Sequence, residues 1–312
     1  MAILSKIVTF IVSLKLSTRT AATALLVGMF FLCVTGIAHA EWFADGDFNI
    51  VYDNNLSRAY DKSDRKGDSA LVPHALLGQY LQLSDRLGLS LTADAAAGIY
   101  TKYQALNNVN VGMTASLKYK LGLGPYAPWL KGYASVKYFD YREDLRNGAP
   151  FITGFLAGKR IHERVNVQLG YEHESLHANN SLFDQLSDEV SVRTDLSVTS
   201  SLNLLLGYSI KKGDVAVYYS PDTDYYPSNN YYKSKDYSPS WYKTPVFLDD
   251  TFKTPMEIYK VRATTHTIFM GLDMALTDHW SAGITADFNS ARSTSGSWYP
   301  DTVLRAGIHY SF

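Results

Sequence analysis

The sequence feature that most constrains the fold is an alternation of apolar and polar residues with a period of two. Between Leu87 and Ile99 every odd position is Leu, Ala or Ile, and the even positions carry Gly, Ser, Thr, Asp or Ala. Similar segments run from Val109 to Tyr119, from Val165 to Tyr171 and from Leu202 to Tyr208. Because successive side chains of a strand point to opposite faces, each segment predicts a strand with one apolar and one polar face. Such lengths suit a bilayer, which a tilted strand crosses in about 9–11 residues.

A soluble β-sandwich would also alternate, so the polar face and the connections between strands distinguish the two folds. The polar face carries many glycines and charges, as a wet interior would. Twelve strands are predicted, near residues 46–58, 69–83, 86–101, 108–121, 127–142, 151–161, 164–176, 187–198, 201–219, 257–276, 279–292 and 301–312. Links after even-numbered strands are short, whereas most links after odd-numbered strands are long and polar, up to the run 220–256. This pattern predicts an all-β fold: a transmembrane antiparallel up-and-down β-barrel of about 12 strands, with short periplasmic turns and longer extracellular loops.

The first forty residues form a separate segment. An apolar run from 21 to 37 precedes the small-x-small sequence Ala38-His39-Ala40, and the charged residues before it are Lys6, Lys15 and Arg19. This layout predicts a signal peptide, residues 1–40, cleaved after Ala40, and an outer-membrane β-barrel domain at 41–312. A membrane anchor is the alternative, but the apolar run is at the short limit for spanning. Cys33, the only cysteine, lies in this leader, so no disulfide is expected in the mature chain.

The polar face defines the predicted lining of the barrel lumen. Eight charged side chains are expected to point inward: Asp94, Lys118, Lys120, Glu172, Arg193, Asp195, Asp287 and Arg305. Charges of both signs can line a hydrated channel and tune its selectivity. They can equally pair into a plug that stabilises a narrow barrel, and twelve strands give an intermediate width. We favour a channel over a plug.

Aromatic residues are predicted to form two girdles where the barrel meets the lipid headgroups. Near the short turns the sequence places Tyr119, Trp129, Trp280, Tyr310 and Phe312. Near the long loops it places Tyr100, Tyr141, Phe151, Tyr171 and Trp298.

The stretch His173-Glu-Ser-Leu-His177 matches the H-E-x-x-H signature of zinc metalloproteases. That signature requires a helix, where residues i and i+4 share a face one turn apart. On a strand, two residues separated by four positions lie about 13 Å apart, too far to share one zinc ion. The alternation before His173 predicts a strand, so we expect no metal site here.

The last strand, Leu304-Arg-Ala-Gly-Ile-His-Tyr-Ser-Phe312, ends on Phe and places Ile308, Tyr310 and Phe312 on one face. It resembles the C-terminal insertion signal of Gram-negative outer-membrane β-barrels of the porin-like kind. The resemblance implies location in the cell outer membrane, contact with outer-membrane lipids and lipopolysaccharide, and recognition by the barrel assembly machinery. The stretches 52–59, 180–184 and 276–280 are similar to the barrel portion of surface lipoprotein assembly modifier proteins, although the helical repeat domain of that family is missing.

The function that these features favour is a porin-like channel for passive passage of small hydrophilic solutes. One alternative is an outer-membrane lipid-modifying enzyme of the phospholipase or lipid A deacylase type, with His173 and Ser175, His177 and Asn179, or His266 between Thr265 and Thr267 as candidates. A second is a non-conducting barrel for surface display or protein export. We expect a protein that is not an enzyme and uses no cofactor. The chain is nearly neutral, with a net charge of −1 and no basic cluster, so no nucleic-acid partner is expected.

Overall fold

The computed structural model describes residues 40–220, 248–249, 251–254, 256–294 and 296–312. Its strands are β1 (Ala40–Asp53), β2 (Asp68–Ser84), β3 (Leu87–Tyr100), β4 (Asn108–Lys120), β5 (Trp129–Tyr141), β6 (Gly148–His162), β7 (Val165–Ala178), β8 (Gln185–Ser197), β9 (Leu202–Tyr219), β10 (Leu248–Asp249), β11 (Met256–Ala275), β12 (Trp280–Ser293) and β13 (Trp298–Ser311). Short 3-10 helices lie in three loops: η1 (Lys62–Asp64), η2 (Gln104–Leu106) and η3 (Asp144–Arg146). Within these ranges no helix is long and apolar enough to cross a membrane.

The twelve long strands form one closed antiparallel ring. Neighbours in sequence pair with each other, and the ring closes where β1 runs antiparallel to β13. β9 pairs directly with β11, from Leu202 opposite Met274 to Tyr219 opposite Glu257, and the two-residue β10 lies beside the start of β11. In a closed ring the backbone polar groups of each strand find partners on both sides, as lipid requires. The predicted up-and-down barrel of about twelve strands is confirmed.

The first predicted strand is shifted in the structure, because β1 ends at Asp53 rather than near residue 58. Side chains compete with the strand ladder at this point. Asp53 Oδ1 accepts a hydrogen bond from the Asn55 backbone N–H at 2.7 Å, and Asn55 Nδ2 donates to the carbonyls of Ala59 and Pro300 at 3.0 and 2.9 Å. Bonds of this kind favour turns over strands. Residues 1–39, with almost all of the predicted signal peptide, and residues 221–247 of the longest loop lie outside the described ranges.

The outer face of the barrel is an apolar band. Large side chains from around the ring are exposed on it, among them Ile50, Val136, Phe155, Leu169, Val190, Leu206, Ile268, Met270, Ile284 and Leu304. Exposed apolar surface on this scale is unusual for a protein surrounded by water and is typical of a surface that faces lipid. Tyr119, Phe151, Tyr171, Trp280, Trp298 and Phe312 are also exposed, near the two ends of the strands.

Three aromatic residues of the predicted girdles face the lumen instead. Trp129, Tyr141 and Tyr100 occupy the same strand faces as Lys137 and Asp94, which form an ion pair across the interior. Trp129 turns inward because Gly158 on β6 leaves room for its indole: a Cβ added to Gly158 would lie 2.2 Å from the Trp129 ring. Tyr133 covers Gly154 on the same pair of strands in the same way. Aromatic rings that cover glycines on a neighbouring strand stabilise the pairing and fix the register.

Candidate functional site: the barrel lumen

Three cavities follow one side of the lumen from the short-turn end toward the loop end. The mouth cavity, at the short-turn end, has a volume of about 750 Å³ and is lined by residues that include Lys118, Lys120, Trp129, Arg160, Gln168 and Asp195. The middle cavity, about 250 Å³, is lined in part by Tyr133, Gln168, Glu172, Glu189 and Arg193. The outer cavity, about 380 Å³, is lined in part by Glu189, Arg193, Lys211, Phe269, Asp287 and Tyr299.

The cavities share lining residues, so they follow one another along the wall. Gln168 borders both the mouth cavity and the middle cavity. Glu189, Ser191 and Arg193, on alternate positions of β8, border both the middle cavity and the outer cavity. The wall is made of charged, amide and hydroxyl side chains because the inward positions of β7, β8, β9 and β11 are the polar half of the alternation. This arrangement forms a polar path through most of the barrel height.

The opposite side of the lumen is lined by an ionic network across the closing seam. Asp47 on β1 lies 2.8 Å from His74 Nδ1 on β2 and 2.7 Å from His309 Nδ1 on β13. Asp94 on β3 accepts a hydrogen bond from Lys137 Nζ on β5 at 2.9 Å, and His74 Nε2 lies 4.0 Å from the same carboxylate. These contacts connect five strands, so this side of the interior resembles the plug that was the alternative to a channel.

Charged groups on the open side are paired in part. Lys211 Nζ donates to Glu174 at 2.8 Å, and the Tyr133 hydroxyl donates to Glu172 at 2.6 Å. Arg305 forms an ion pair with Asp287, and the Arg193 guanidinium lies 5.8 Å from the centre of the Phe269 ring. These pairs position side chains along the wall of the polar path.

The eight residues proposed for the lumen fall into separate groups. Lys118, Lys120 and Asp195 border the mouth cavity, Glu172 and Arg193 border the middle one, and Asp287 with its partner Arg305 lies by the outer one. Asp94 belongs to the seam network. Sequence reasoning did not single out Asp47, His74, Lys137, Glu174, Glu189, Lys211 or His309. Three of these, Glu174, Glu189 and His309, lie on β7, β8 and β13, where the same inward period identified Glu172, Arg193 and Arg305.

A packed group of loops lies across the loop end of the lumen. Its buried core, which we term the loop cap, consists of Leu106, Leu182, Phe183, Tyr218, Phe252, Met256 and Ile258. Leu106 lies in the loop between β3 and β4, whereas Tyr218 and Ile258 belong to β9 and β11, which lie on the opposite side of the ring. Side chains from opposite sides can share a core only where the chain crosses the mouth of the barrel.

Aromatic contacts and hydrogen bonds hold the loop cap together. The Phe252 ring meets Tyr103 and Tyr218 edge to face, with centroids 5.0 and 4.9 Å apart. The Tyr218 N–H donates to the Ser57 carbonyl at 2.9 Å, which ties β9 to the loop after β1. Lys260 Nζ donates to the Ser181 carbonyl at 3.1 Å. Burial and the nearby Asp68 carboxylate raise the pKa of the Tyr103 phenol, which therefore stays neutral in the cap.

The HESLH stretch lies on β7 with both histidines on the outward face. His173 pairs with Thr153 and His177 with Ala149 on β6. His173 Nδ1 lies 2.9 Å from Asp188 Oδ1 on β8, and the same oxygen accepts a hydrogen bond from the Tyr171 hydroxyl at 2.7 Å. On an extended strand His173 and His177 are about 13 Å apart, so they cannot hold one metal ion between them. His266, on β11, contacts the Tyr208 hydroxyl at 2.7 Å.

Comparison with known proteins identifies the fold. No protein-family model matches the sequence, and no curated protein matches it. An outer membrane channel from Pseudomonas putida F1 superimposes over 89% of this chain and 97% of its own, with a TM-score of 0.56 and 13% identity. The NanC porin (85% and 98%, TM-score 0.43, 9% identity) and the translocator domain of the autotransporter NalP from Neisseria meningitidis (94% and 98%, TM-score 0.39, 12% identity) are more distant.

At such identities the likeness shows the fold alone, and that conclusion rests on the Pseudomonas channel. The chain has the outer-membrane β-barrel fold, and the outward apolar band agrees with a location in the outer membrane. The similarity to surface lipoprotein assembly modifiers stays a prediction.

Proposed function

We propose that this protein is a porin-like channel for passive passage of small hydrophilic solutes across the outer membrane. The observation that carries the proposal is the polar path of three cavities that share lining residues. Its charged, amide and hydroxyl groups can replace part of the hydration shell of a small solute as it moves. The apolar band would contact outer-membrane lipids and lipopolysaccharide on the outside.

The loop cap gives this channel a closed outer mouth. Four of the seven cap residues, Leu106, Leu182, Phe183 and Phe252, lie in loops outside the strand ladder, and such elements open locally at lower free energy than the sheet. We infer that solutes pass when the cap loosens, and that the barrel wall keeps its shape while this happens.

Liposome swelling tests the proposal. Proteoliposomes that contain the purified barrel are placed in isotonic solutions of glycerol, glucose and a trisaccharide. A passive polar path admits these solutes at rates that fall with size and rise linearly with concentration. A folded barrel that admits none of them, with the cap intact or loosened by substitution, would contradict the channel.

A lipid-acting enzyme is the second candidate, and one contact on β7 favours it. His173 Nδ1 is held against the Asp188 carboxylate, which leaves Nε2 free to act as a base. Ser175 lies two positions further on the same outward face of the strand, where a lipid ester can approach. A serine, a histidine and a carboxylate in these roles are the components of acyl transfer.

Turnover of labelled phospholipid and of lipopolysaccharide by the purified barrel tests this second candidate. Ser175→Ala should abolish acyl release if Ser175 is the nucleophile, and His177→Ala, on the same strand face, should retain it. Equal activity in the wild-type protein and the Ser175→Ala variant would exclude this role for the serine.

A further inference from the structure

We propose that the inner wall of the mouth cavity is a binding site for small multivalent anions. The site, here termed the cationic wall, consists of Lys118 and Lys120 on β4, Trp129 on β5 and Arg160 on β6, which line the cavity, and of Lys131 on β5, which lies beside them directly opposite Lys118. It rests on the proposed channel and specifies a class of solute for it.

Strand register brings the four cations together on the inner face. Lys118 lies directly opposite Lys131, Lys120 lies opposite Trp129, and Trp129 lies opposite Gly158 on β6. Arg160 follows Gly158 by two positions and therefore shares its inward face. Like charges directly opposite each other on neighbouring strands are destabilising. Lys118 and Lys131 carry this destabilising repulsion although a neutral polar residue at either position could face water equally well.

Within the described part of the chain, the four cations of the cationic wall have no carboxylate partner, unlike three other lysines and arginines of the lumen. Lys137, Lys211 and Arg305 each pair with a carboxylate within the lumen. Among the residues that the structure describes, no carboxylate lies within the 4.0 Å ion-pair distance of Lys118, Lys120, Lys131 or Arg160. The four positive charges are therefore available to a ligand.

Trp129 holds one of these charges in place. Its ring lies against Gly158, and the Lys118 ammonium sits 4.5 Å from the centre of the indole. A cation over the face of a Trp ring is attracted by the ring quadrupole. Lys118 is thereby held toward the cavity, so less side-chain entropy is lost when a ligand binds.

The carboxylates of the mouth cavity lie on other parts of its rim. Asp195 is on β8, Asp273 is on β11 and Glu163 is in the turn after β6, where Arg164 follows it. Asp195 accepts a hydrogen bond from Asn166 Nδ2 at 3.0 Å. Cations therefore concentrate on β4 to β6 and carboxylates mainly on β8 and β11, so the electrostatic field across the mouth draws an anion toward the cationic wall.

Spacing indicates the chemical class of the ligand. Neighbouring strands are about 4.8 Å apart, so a molecule with two or three carboxylate or phosphate groups can contact several of these cations at once. The mouth cavity, at about 750 Å³, is large enough for such a molecule. A monovalent anion would neutralise only one of the four charges.

Isothermal titration calorimetry of the purified full-length barrel in detergent at low salt tests the proposal, with citrate and inorganic pyrophosphate as probes and glucose as the neutral control. Lys131→Gln should weaken the binding of the probe roughly threefold to tenfold, because one charge-assisted contact is lost. The matched control is Lys137→Gln, which removes an inward lysine that already has the Asp94 carboxylate as its partner. It should leave the affinity nearly unchanged.

A second readout separates binding from a merely structural role. Lys131→Gln also removes the like-charge pair with Lys118, so the empty variant should unfold at the same temperature as the wild-type barrel or higher. Binding of citrate alone or of pyrophosphate alone would support the site and identify carboxylate or phosphate as its ligand group. Absence of binding by both probes, or equal losses in Lys131→Gln and Lys137→Gln, would overturn it. Conductance measured on the same preparation tests the channel independently, because a non-conducting barrel that still binds citrate would refute only the channel.

Discussion

At the residue scale, the role of a side chain follows from the strand face on which it lies. Leu169 and Gln168 are neighbours on β7, yet Leu169 is 57% exposed on the apolar band and Gln168 borders two lumen cavities. Both residues pair with β6 on one side and β8 on the other, Gln168 with Gly158 and Arg193, and Leu169 with Ala157 and Val192. The two residues therefore share one secondary structure and differ in what surrounds their side chains, which is the apolar band for Leu169 and the wet lumen for Gln168.

We predict that Leu169→Arg destabilises the barrel by about 2–4 kcal/mol, because an arginine on the lipid face near the midplane is costly. Gln168→Arg should unfold at nearly the wild-type denaturant concentration, since its charge enters the wet lumen. Unfolding in urea in the presence of lipid vesicles measures both. Equal destabilisation by the two substitutions would show that the assignment of the faces of β7 is wrong.

At the element scale, aromatic rings and glycines on neighbouring strands stabilise the register of the inner wall. Trp129 over Gly158 and Tyr133 over Gly154 join β5 to β6 at two points of the same face. Gly132, on the outward face of β5, has no atom within 4 Å of the position that a Cβ would occupy. A methyl group added at Gly154 or Gly158 would therefore clash with an aromatic ring, whereas one added at Gly132 would meet no neighbouring atom.

Gly158→Ala should cost about 1–3 kcal/mol, because the added methyl displaces the Trp129 ring from the wall. It should also weaken citrate binding, since Lys118 loses its position over the ring. Gly132→Ala serves as the control and should change neither quantity. Thermal unfolding and calorimetry on the two variants measure the effects, and loss of stability in Gly132→Ala alone would contradict this role of the ring and glycine pairs.

The strands could be predicted because each spans the membrane with one apolar face, and a period of two reports this directly. Eleven of the twelve predicted strands agree with the structure to within three residues at either end. β1 deviates because hydrogen bonds of the Asn55 side chain end the strand, and one of these bonds goes to the carbonyl of Pro300, which is distant in sequence. The predicted girdle position of Trp129 was wrong for a similar reason, because the inward orientation of this ring depends on Gly158, a residue of the next strand.

At the scale of the whole molecule, the barrel combines an ionic seam, a polar path of three adjacent cavities and a loop cap across the outer mouth. The alternation indicated which residues share the lumen face, but the contact of Asp47 with His309 requires the ring to close between β1 and β13. The loop cap could not be predicted, because Leu106 and Phe252 are ordinary loop residues in sequence and meet only across the barrel mouth. The HESLH stretch follows the period of its strand and needs no separate explanation.

The cap should open without unfolding the barrel. Phe252→Ala removes the ring between Tyr103 and Tyr218, and a buried Phe→Ala change costs about 3–5 kcal/mol where it is packed. We expect the substitution to destabilise the loop cap and not the strands, so that heat-modifiable migration on gels stays unchanged. Phe155→Ala, on the lipid face of β6, is the matched control for the loss of a ring.

Single-channel recording in a planar lipid bilayer is the direct test of a polar path that opens when the loop cap loosens. We expect brief or rare openings for the wild-type barrel and for Phe155→Ala, and longer or more frequent openings of the same polar path for Phe252→Ala. Folded wild-type and Phe252→Ala barrels that both fail to conduct, over the full range of applied voltage, would contradict it.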